Sequence, residues 1–234
     1  MTDQRTITAM FDDIAPRYDF LNHLLSFHID KIWRKKASRM VAQNHPKAIL
    51  DVATGTADLA IRLAKDNPTA AITGIDPSEK MLEIGKGKVK SKKLDSRIRL
   101  LSGDVIKLPF SDNCFDAVTV GFGVRNFSNL VKGLEEMARV AKPQGTIAIL
   151  EFSQPHSLLK TPYQFYFKHL VPCIGGAVSK HKTAYTYLPN SVDSFPEPQQ
   201  FIGLLEAAGL SDIQRRTLSG GIATLYTGYV EKTK

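Results

Sequence analysis

Strand-like and helix-like patterns alternate along most of this chain, and the alternation restricts the fold more than any other feature. Helical patterns at 58–66, 77–90 and 129–141 separate the early apolar runs. Such alternation predicts an α/β fold with a mostly parallel sheet and helices on both of its faces. The early runs are almost continuously apolar, as strands are when both faces of a sheet are covered. The six runs that predict strands are AILDVAT, AAITGID, RIRLLSG, FDAVTVGFG, GTIAILEF and ATLYTGYV.

Two segments interrupt this alternation, although 234 residues is the length of a single domain. The first segment has apolar and aromatic residues at helical spacing, namely Phe11, Ile14, Tyr18, Leu21 and Leu25. The second is rich in aromatic residues and proline. Because open α/β sheets bind ligands at the carboxyl ends of their strands, we expect both segments to cover that edge. The predicted parts are an N-terminal helical lid (1–45), a cofactor-binding half (46–153), a substrate-side insertion (154–198) and a C-terminal helix with strands (199–234).

The chain carries a formal net charge of +8, and two basic clusters contribute most visibly to it. They span Lys31 to Arg39 and Lys86 to Lys93. A basic surface suits nucleic acid or an anionic membrane, although each cluster alone is most simply a solvated helix face. The sequence has no secretory signal and no apolar run of about 18 residues, so we expect a cytoplasmic protein without a membrane span.

The two cysteines, Cys114 and Cys173, are too few to stabilise a domain of this size through disulfides. No group of cysteine and histidine residues has the spacing of zinc ligands. We therefore expect reduced cysteines and no bound metal.

The segment LDVATGTADLA (50–60) predicts a strand, a turn and a helix, which is the usual setting of a nucleotide-like cofactor. A dinucleotide fingerprint needs glycine at 57 and 60, where this chain has alanine, and no G-K-[ST] follows for a P-loop. Asp51 and Asp58 would also repel a pyrophosphate. S-adenosylmethionine has no phosphate and carries a positive sulfonium and a positive ammonium. The acids therefore favour S-adenosylmethionine, and Gly55 allows the backbone to approach it.

Two further acids follow the next two strands. Asp76 ends the second strand, where an acid conventionally binds both ribose hydroxyls, a feature shared with NAD enzymes. Asp104 comes just after the third strand and can accept a hydrogen bond from an adenine amino group. These positions predict that the nucleoside lies across the ends of the second and third strands.

Four of these elements occur in the order D-x-A-x-G-T, Asp76, G-D-x-x-x-L-P-F and R-V-x-K-P-x-G. In this order they resemble class I S-adenosylmethionine-dependent methyltransferases. The chain is also similar to a narrower family, the ubiquinone/menaquinone biosynthesis C-methyltransferases, from about Phe11 to Tyr229. The motifs that carry this similarity are FDDIAPRYDFLNHLLSF, IWR, GFGVRN, LEFS, YTYLPNSVDSFP and GIATLYTGY.

The resemblance implies methyl transfer from S-adenosylmethionine to a ring carbon of a polyprenylated quinol, most typically demethylmenaquinol, or the related ubiquinone-pathway benzoquinol. It implies a Rossmann-like fold with a mostly parallel seven-stranded sheet and an insertion that caps the substrate. Because a polyprenyl tail resides in a bilayer, we also expect peripheral contact with an anionic membrane, at the inner face of the cell membrane. The segment 161–178 could line a channel for this tail or belong to the core. The cofactor-binding residues would be Thr56, Asp76, Asp104, Val105 and Gly121, together with Gly55 of the turn.

The chain departs from the family pattern at three positions. Thr54 and Ala57 stand in the cofactor turn where relatives commonly have glycine. His28 stands where relatives have the glycine of LSFG. The first two departures bear on the geometry of the turn, and we expect His28 to be a partly exposed residue at a helix end.

The predicted reaction also requires activation of the methyl acceptor. A ring carbon is a poor nucleophile until the neighbouring hydroxyl, with a reference pKa of about 10, loses its proton, so the site needs a base or a nearby cation. Arg125, after the fourth strand, is the candidate for holding the phenolate or for ordering a water that removes the proton. Asp19 in the lid is the candidate carboxylate base, and Glu151 could be a structural acceptor. His181 and Tyr185 are weaker candidates.

Three other functions remain open at this point. A small-phenol O-methyltransferase would need the same pocket. A nucleic-acid methyltransferase would explain the net charge, but amino-methylating enzymes of that class usually have Asn/Asp-Pro-Pro-Tyr where this chain has GFGVRN. A non-catalytic S-adenosylmethionine-binding module is favoured only by Thr54 and Ala57. We therefore expect no nucleic-acid partner, and the sequence does not indicate an oligomeric state.

Overall fold

The computed structural model describes residues 4–155, 166 and 182–231. The helices predicted at 58–66, 77–90 and 129–141 are confirmed, with small shifts at their ends. The described helices are α1 (Gln4–Leu25), α2 (Ile29–Ala42), α3 (Asp58–Asp66), α4 (Glu79–Ser91), α5 (Leu130–Val140), α6 (Lys182–Asp193) and α7 (Pro198–Ala207). The described strands are β1 (Ala48–Val52), β2 (Ala71–Asp76), β3 (Ile98–Ser102), β4 (Phe115–Gly121), β5 (Ala141–Phe152), β6 (Leu210–Leu218) and β7 (Ala223–Val230).

The strands form one seven-stranded sheet in the order β3-β2-β1-β4-β5-β7-β6. Strands β1 to β5 are parallel, whereas β7 is antiparallel to both β5 and β6. The predicted mostly parallel, seven-stranded α/β fold is therefore confirmed. The order reverses between β1 and β4, and in open α/β sheets a ligand crevice lies at this reversal, outside the carboxyl ends of the strands.

Helices cover both faces of the sheet, and neighbouring residues of β1 show how the two faces divide. Leu50 belongs to a core that includes Leu134 of α5 and Phe201 of α7. Ile49 belongs to a second core with Leu63 of α3. Both residues are completely buried. Successive side chains of a strand point to opposite faces of the sheet, and here both faces are covered by helices. This rigid sheet fixes the positions of the strand ends that build the site.

The N-terminal segment forms two helices that lie against the sheet and its cofactor edge. α1 packs on α4 through Ile14, Leu21 and Met81. α2 is fixed by Trp33, which packs against Phe122 at the end of β4 and donates to Ser219 through Nε1 at 2.9 Å. Among the described helices, none is long and apolar enough to cross a membrane.

His28 lies in the turn between α1 and α2 and has a φ of 60°. Glycine readily adopts this left-handed conformation, whereas residues with a Cβ adopt it at an energetic cost. The glycine of the family motif LSFG therefore suits the backbone at this position, and His28 adopts the same conformation at some cost. His28 is exposed, as expected for a residue at a helix end.

Candidate active site

A cleft of about 700 Å³, which includes space open to solvent, runs across the carboxyl ends of β1 to β4. Helix α1 borders it with Ile7, Phe11 and Tyr18. No described residue that lines this cleft is lysine or arginine. The strand ends contribute five of the predicted cofactor residues, namely Gly55, Asp76, Asp104, Val105 and Gly121.

The turn after β1 is built from residues in the left-handed conformation. Ala53, Gly55 and Ala57 have φ values of 49°, 53° and 67°. The backbone at 57 thus favours glycine, and Ala57 keeps the conformation without it. A Cβ built on Gly55 would meet no described atom within 4 Å. The backbone at Gly55 therefore faces open space from which a ligand can approach it.

Asp76 lies beside this turn at the end of β2. Its Oδ2 accepts from the backbone N–H of Gly55 at 2.8 Å, and its Oδ1 accepts from that of Ser78 at 2.9 Å. Burial raises the pKa of Asp76 to about 6, although the two N–H donors act in the opposite direction. A carboxylate held in this way retains lone pairs for further donors, such as two neighbouring hydroxyl groups.

After β3 the cleft is lined by a carboxylate and a neighbouring apolar side chain. Asp104 follows β3, and its side chain accepts from the backbone N–H of Ile106 at 3.2 Å. Val105 is buried beside it. A flat aromatic base could pack on Val105 while its amino group donates to Asp104. Gly121 ends β4, where an added Cβ would approach Leu59 Cδ2 to 3.0 Å, so a larger residue would crowd this wall.

A smaller pocket continues the cleft beyond Gly55. Arg34 of α2 is the only described cation that lines it. Asp51 is fully buried there, and burial raises its pKa to about 6 although hydrogen bonds from two threonine hydroxyls lower it. The other polar side chains that line this pocket are Tyr18, Thr54, Thr56 and Asp58.

Residues of α1 and α2 hold the Arg34 side chain in this pocket. Its Nη1 donates to Asp30 Oδ2, which also contacts His23 Nδ1 at 2.8 Å. Its guanidinium carbon lies 5.3 Å from the centre of the Phe122 ring. Burial alone would raise the pKa of Asp58, but the charges of Arg34 and Lys88 lower it. The N-terminal helices thus contribute a fixed cation to a pocket that otherwise holds acids.

The polar groups of the two pockets fit S-adenosylmethionine. Asp76 and Asp104 suit the ribose hydroxyls and the adenine amino group. The smaller pocket has acids for an ammonium and Arg34 for a carboxylate. A pyrophosphate would meet no lysine or arginine among the described residues of the main cleft and would be repelled by its acids. The arrangement therefore favours S-adenosylmethionine over a dinucleotide.

Asp19 joins α1 to the turn after β1. It accepts from Thr56 Oγ1 at 2.5 Å and from Lys88 Nζ of α4 at 2.6 Å. Lys88 also donates to Asp58 at 2.5 Å. We call Asp19, Thr56, Asp58 and Lys88 the lid latch. The predicted role of Asp19 as a base stays a prediction, and the structure places this carboxylate between two donors.

Arg125 lies just behind the wall of the cleft, to which the following residue, Asn126, contributes. The side chain of Arg125 is 5% exposed, and its Nη1 donates to Glu151 Oε1 and to the Phe122 carbonyl, both at 2.6 Å. Its Nε donates to Ser191 of α6 at 3.3 Å. Glu151 also accepts from the backbone N–H groups of Arg125 and Phe152, which is the structural role considered for it.

Two tyrosines show the electrostatic effect of Arg125 on nearby phenols. Tyr18 lines the cleft, and Tyr187 donates to Asn126 Oδ1 at 2.9 Å. Burial raises the pKa of both hydroxyls, and the Arg125 charge acts against this effect in both cases. The same charge would oppose the effect of burial on the pKa of a phenol bound near them. The predicted role of Arg125 is not tested by this geometry, but the geometry provides a physical route to it.

Sequence reasoning missed three of these residues as site residues, namely Arg34, Asn126 and Tyr187. Each belongs to a motif that carried the family resemblance: IWR, GFGVRN or YTYLPN. Their presence in these motifs could have indicated a role in the site. Their contacts could not be predicted, because they depend on the tertiary fold. His181, the side chain of Tyr185 and the segment 161–178 except Tyr166 lie outside the described residues.

Comparisons with known proteins agree with this arrangement. A model of the ubiE/COQ5 methyltransferase family matches residues 1–230. The chain is 45% identical over 224 residues to the demethylmenaquinone methyltransferase of Porphyromonas gingivalis, covering 95% of this chain and 91% of that protein. It is 47% identical over 224 residues to the ubiquinone/menaquinone biosynthesis C-methyltransferase UbiE of Geotalea daltonii, covering 95% of each chain. A solved structure of a putative S-adenosylmethionine-dependent methyltransferase from Methanococcus maripaludis shares the fold, with a TM-score of 0.67, 19% identity and coverage of 96% of this chain and 95% of that chain.

Proposed function

Because this chain belongs to the ubiE/COQ5 methyltransferase family, we propose that it transfers a methyl group from S-adenosylmethionine to a ring carbon of a polyprenylated quinol. Demethylmenaquinol is the acceptor that best fits the relatives. The observation that carries the proposal is a cleft whose described lining has acids but no lysine or arginine, in a chain that the family model matches over residues 1–230. The segment 1–45 acts as a lid and 154–198 caps the acceptor.

The cofactor is held along the strand ends. Asp76 binds the ribose hydroxyls, while Asp104 and Val105 bind the adenine. Asp51 attracts the ammonium of the methionine part, and Arg34 binds its carboxylate by charge-assisted hydrogen bonds. Bound S-adenosylmethionine supplies an electrophilic methyl group on its sulfonium. These residues would fix the position of the cofactor along the strand ends, and positioning of this kind accounts for much of the rate of such a displacement.

The acceptor is activated by the charge of Arg125. Its guanidinium already opposes the effect of burial on two neighbouring phenols, Tyr18 and Tyr187. It therefore favours loss of the quinol hydroxyl proton, which makes the adjacent ring carbon nucleophilic. Because Arg125 is held by Glu151 behind the cleft wall, it does not clamp the oxygen tightly. A tight clamp would oppose a reaction in which phenolate and sulfonium charges neutralise each other.

Asp19 is the alternative source of activation, as a base. Its carboxylate accepts from Thr56 and Lys88. It could take the quinol proton only after the lid latch loosens, so Arg125 is the favoured candidate.

The enzyme works at a membrane surface, because its acceptor carries a polyprenyl tail. Peripheral contact with an anionic bilayer is supported by the basic cluster from Lys31 to Arg39, in which Lys31, Lys36 and Arg39 are exposed. In a cell this contact would be at the inner face of the membrane.

The proposed reaction is tested by incubating the protein with methyl-labelled S-adenosylmethionine and a reduced demethylmenaquinone analogue. The label should be found on a ring carbon of the product. Label on oxygen would instead indicate a phenol O-methyltransferase, and binding without turnover would indicate a non-catalytic module.

A further inference from the structure

Four exposed apolar side chains lie close together in the sequence, around the turn between α1 and α2. Among the described residues, five large apolar side chains are strongly exposed, and four of these lie between residues 20 and 32. They are Phe20 (60% exposed), Leu24 (42%), Phe27 (72%) and Ile32 (54%). We call these four the apolar surface. The fifth, Val131, lies on α5. Grouped exposed apolar side chains mark interaction sites, whereas single ones need no explanation.

The apolar surface is part of the ordered lid. Phe20 and Leu24 are one helical turn apart on α1, and Ile32 is in the first turn of α2. Phe27 lies in the turn between the helices, where its ring packs 6.0 Å from that of Tyr166. Tyr166 donates to the Leu25 carbonyl at 2.8 Å. A neighbouring side of α1 is buried through Ile14 and Leu21, so α1 presents apolar residues on two sides.

Basic side chains border the apolar surface. Lys31, Lys35, Lys36 and Arg39 follow helical spacing along the outer side of α2. None of these four is ion-paired with a carboxylate in the described part of the chain. Lys31 also borders a shallow pocket with Arg62 and Lys65. This combination of aromatic or aliphatic residues with unpaired cations is typical of helices that lie in the interface of an anionic membrane.

We infer that the apolar surface inserts into an anionic lipid bilayer, so that the lid itself is the membrane-docking element of this enzyme. The inference rests on the proposed function, because the prenylated acceptor must be taken from the bilayer. The charges around the apolar surface favour a lipid bilayer, rather than a second copy of the chain, as its partner. In a symmetric contact through this face, the cations of α2 would approach those of the other copy, whereas anionic headgroups neutralise them.

Docking through α1 brings the cleft to the membrane. The same helix borders the cleft through Ile7, Phe11 and Tyr18 and carries Phe20 and Leu24 on its exposed side. A prenylated quinol that leaves the bilayer beside α1 therefore enters next to the helix that borders the cleft. The second basic cluster, from Lys86 to Lys93, belongs to α4 and the turn after it. Because this cluster includes no strongly exposed large apolar residue, we do not expect it to insert into the bilayer.

The test is sedimentation with vesicles of phosphatidylglycerol and phosphatidylcholine. The triple variant Phe20→Ser, Phe27→Ser, Ile32→Ser should bind at least about tenfold more weakly, or about 1.4 kcal/mol, while Val131→Ser should bind as the unmodified protein does. Lys31→Glu with Lys36→Glu should weaken binding more than Lys90→Glu with Lys92→Glu, which changes the net charge equally. Circular dichroism checks that the variants are folded. Binding by the triple variant equal to that of the unmodified protein would overturn the inference.

Activity assays separate this inference from the proposed function. With a short-tailed, water-soluble reduced demethylmenaquinone, the triple variant should retain kcat, whereas with a long-tailed acceptor in vesicles it should lose most of its activity. If the unmodified protein methylates neither acceptor, the proposed function fails whatever the vesicle binding shows. If the unmodified protein is a dimer that the triple variant converts to a monomer, the apolar surface is a contact between copies and the inference is wrong.

Discussion

Asp51 is a buried carboxylate whose side chain accepts hydrogen bonds from two hydroxyl groups. Thr119 Oγ1 donates to its Oδ1 at 2.8 Å, and Thr54 Oγ1 donates to its Oδ2 at 2.6 Å. No described residue forms an ion pair with it. Burial raises its pKa from 3.8 to about 6, so the charged form is costly in the folded protein at neutral pH. A cost of this kind is typical of residues at ligand-binding sites, which supports the proposed contact of Asp51 with the ammonium group.

Replacing Asp51 with asparagine should therefore stabilise the ligand-free protein at pH 7.5. The variant lacks the charge penalty, whose size is on the order of 1–3 kcal/mol for a shift of about two pKa units. In the unmodified protein the penalty vanishes as Asp51 becomes protonated, so the difference should fall as the pH decreases through 6 and disappear below about 4. Urea unfolding at several pH values measures this. An equal effect at pH 7.5 and pH 4 would contradict the assigned cause. Calorimetry should also show weaker binding of S-adenosylmethionine.

Arg125 is expected to act on the acceptor rather than on the cofactor. In Arg125→Lys the charge is retained, but the planar fork that contacts Glu151, the Phe122 carbonyl and Ser191 is lost. We expect unchanged affinity for S-adenosylmethionine and a fall in kcat of at least about tenfold. The rising limb of the pH–rate profile should move to higher pH as the quinol regains its ordinary acidity. Arg216→Lys, at an exposed position of β6, is the control. If kcat were normal and the pH–rate profile did not shift, Arg125 would have only a structural role.

At the level of residues, the sequence predicted those site positions that follow directly from a strand end. Asp76 and Asp104 lie at the carboxyl ends of parallel strands, so knowing the strands was enough to place them in the cleft. Arg34 could not be placed in this way, because it comes from a helix that precedes the sheet. Its position depends on how α2 packs against Phe122, which is a tertiary contact.

The lid latch connects three helices around the cofactor turn. Lys88 of α4 bonds Asp19 of α1, Asp58 of α3 and Thr56 of the turn. These groups are partly buried, so their charge-assisted hydrogen bonds should contribute more than an exposed surface ion pair does. The position of α1, and with it closure of the cleft, should therefore depend on Lys88.

We expect Lys88→Met to loosen α1 while leaving the sheet intact. Without the ammonium group, Asp19 and Asp58 lose a shared donor, and hydrogen exchange of the α1 amides should become faster. Exchange in β1 and β4 should not change. Lys90→Met, at an exposed position of the same helix, is the matched control. If α1 exchanged at the same rate in both variants, the latch would not hold the lid.

At the level of elements, periodicity predicted most of the sheet and the long helices, but it missed β6. The strand Leu210–Leu218 lies at the edge of the sheet and is mostly exposed except at its two ends. Its sequence LSDIQRRTL lacks a continuous apolar run because only one neighbouring strand and little of the core contact it. β7, between β5 and β6, is almost fully buried and was predicted. A continuous apolar run in the sequence therefore indicates a buried strand, and it does not reveal a strand that is paired but exposed.

The whole molecule combines a seven-stranded sheet, whose strand ends line the cleft, with two N-terminal helices that lie beside it. We propose that the strand ends hold the nucleoside and that Arg34 of α2 binds the carboxylate of the methionine part. α1 borders the cleft, carries Asp19 of the latch and presents Phe20 to the exterior. The net charge of +8 did not indicate this organisation, because the sequence contains two similar basic clusters. Only the structure showed that one of them adjoins grouped apolar side chains.

Methyl transfer to the reduced and the oxidised form of the same acceptor tests the proposed chemistry most directly. The experiment uses the purified protein without oxygen, methyl-labelled S-adenosylmethionine and a short-tailed demethylmenaquinone in either redox state. Only the quinol has a hydroxyl whose deprotonation activates the ring carbon, so it should give a C-methylated product at a rate that rises with pH. The quinone should give none. Equal rates with the two forms, or a methyl group on oxygen, would contradict C-methylation of a quinol activated as its phenolate.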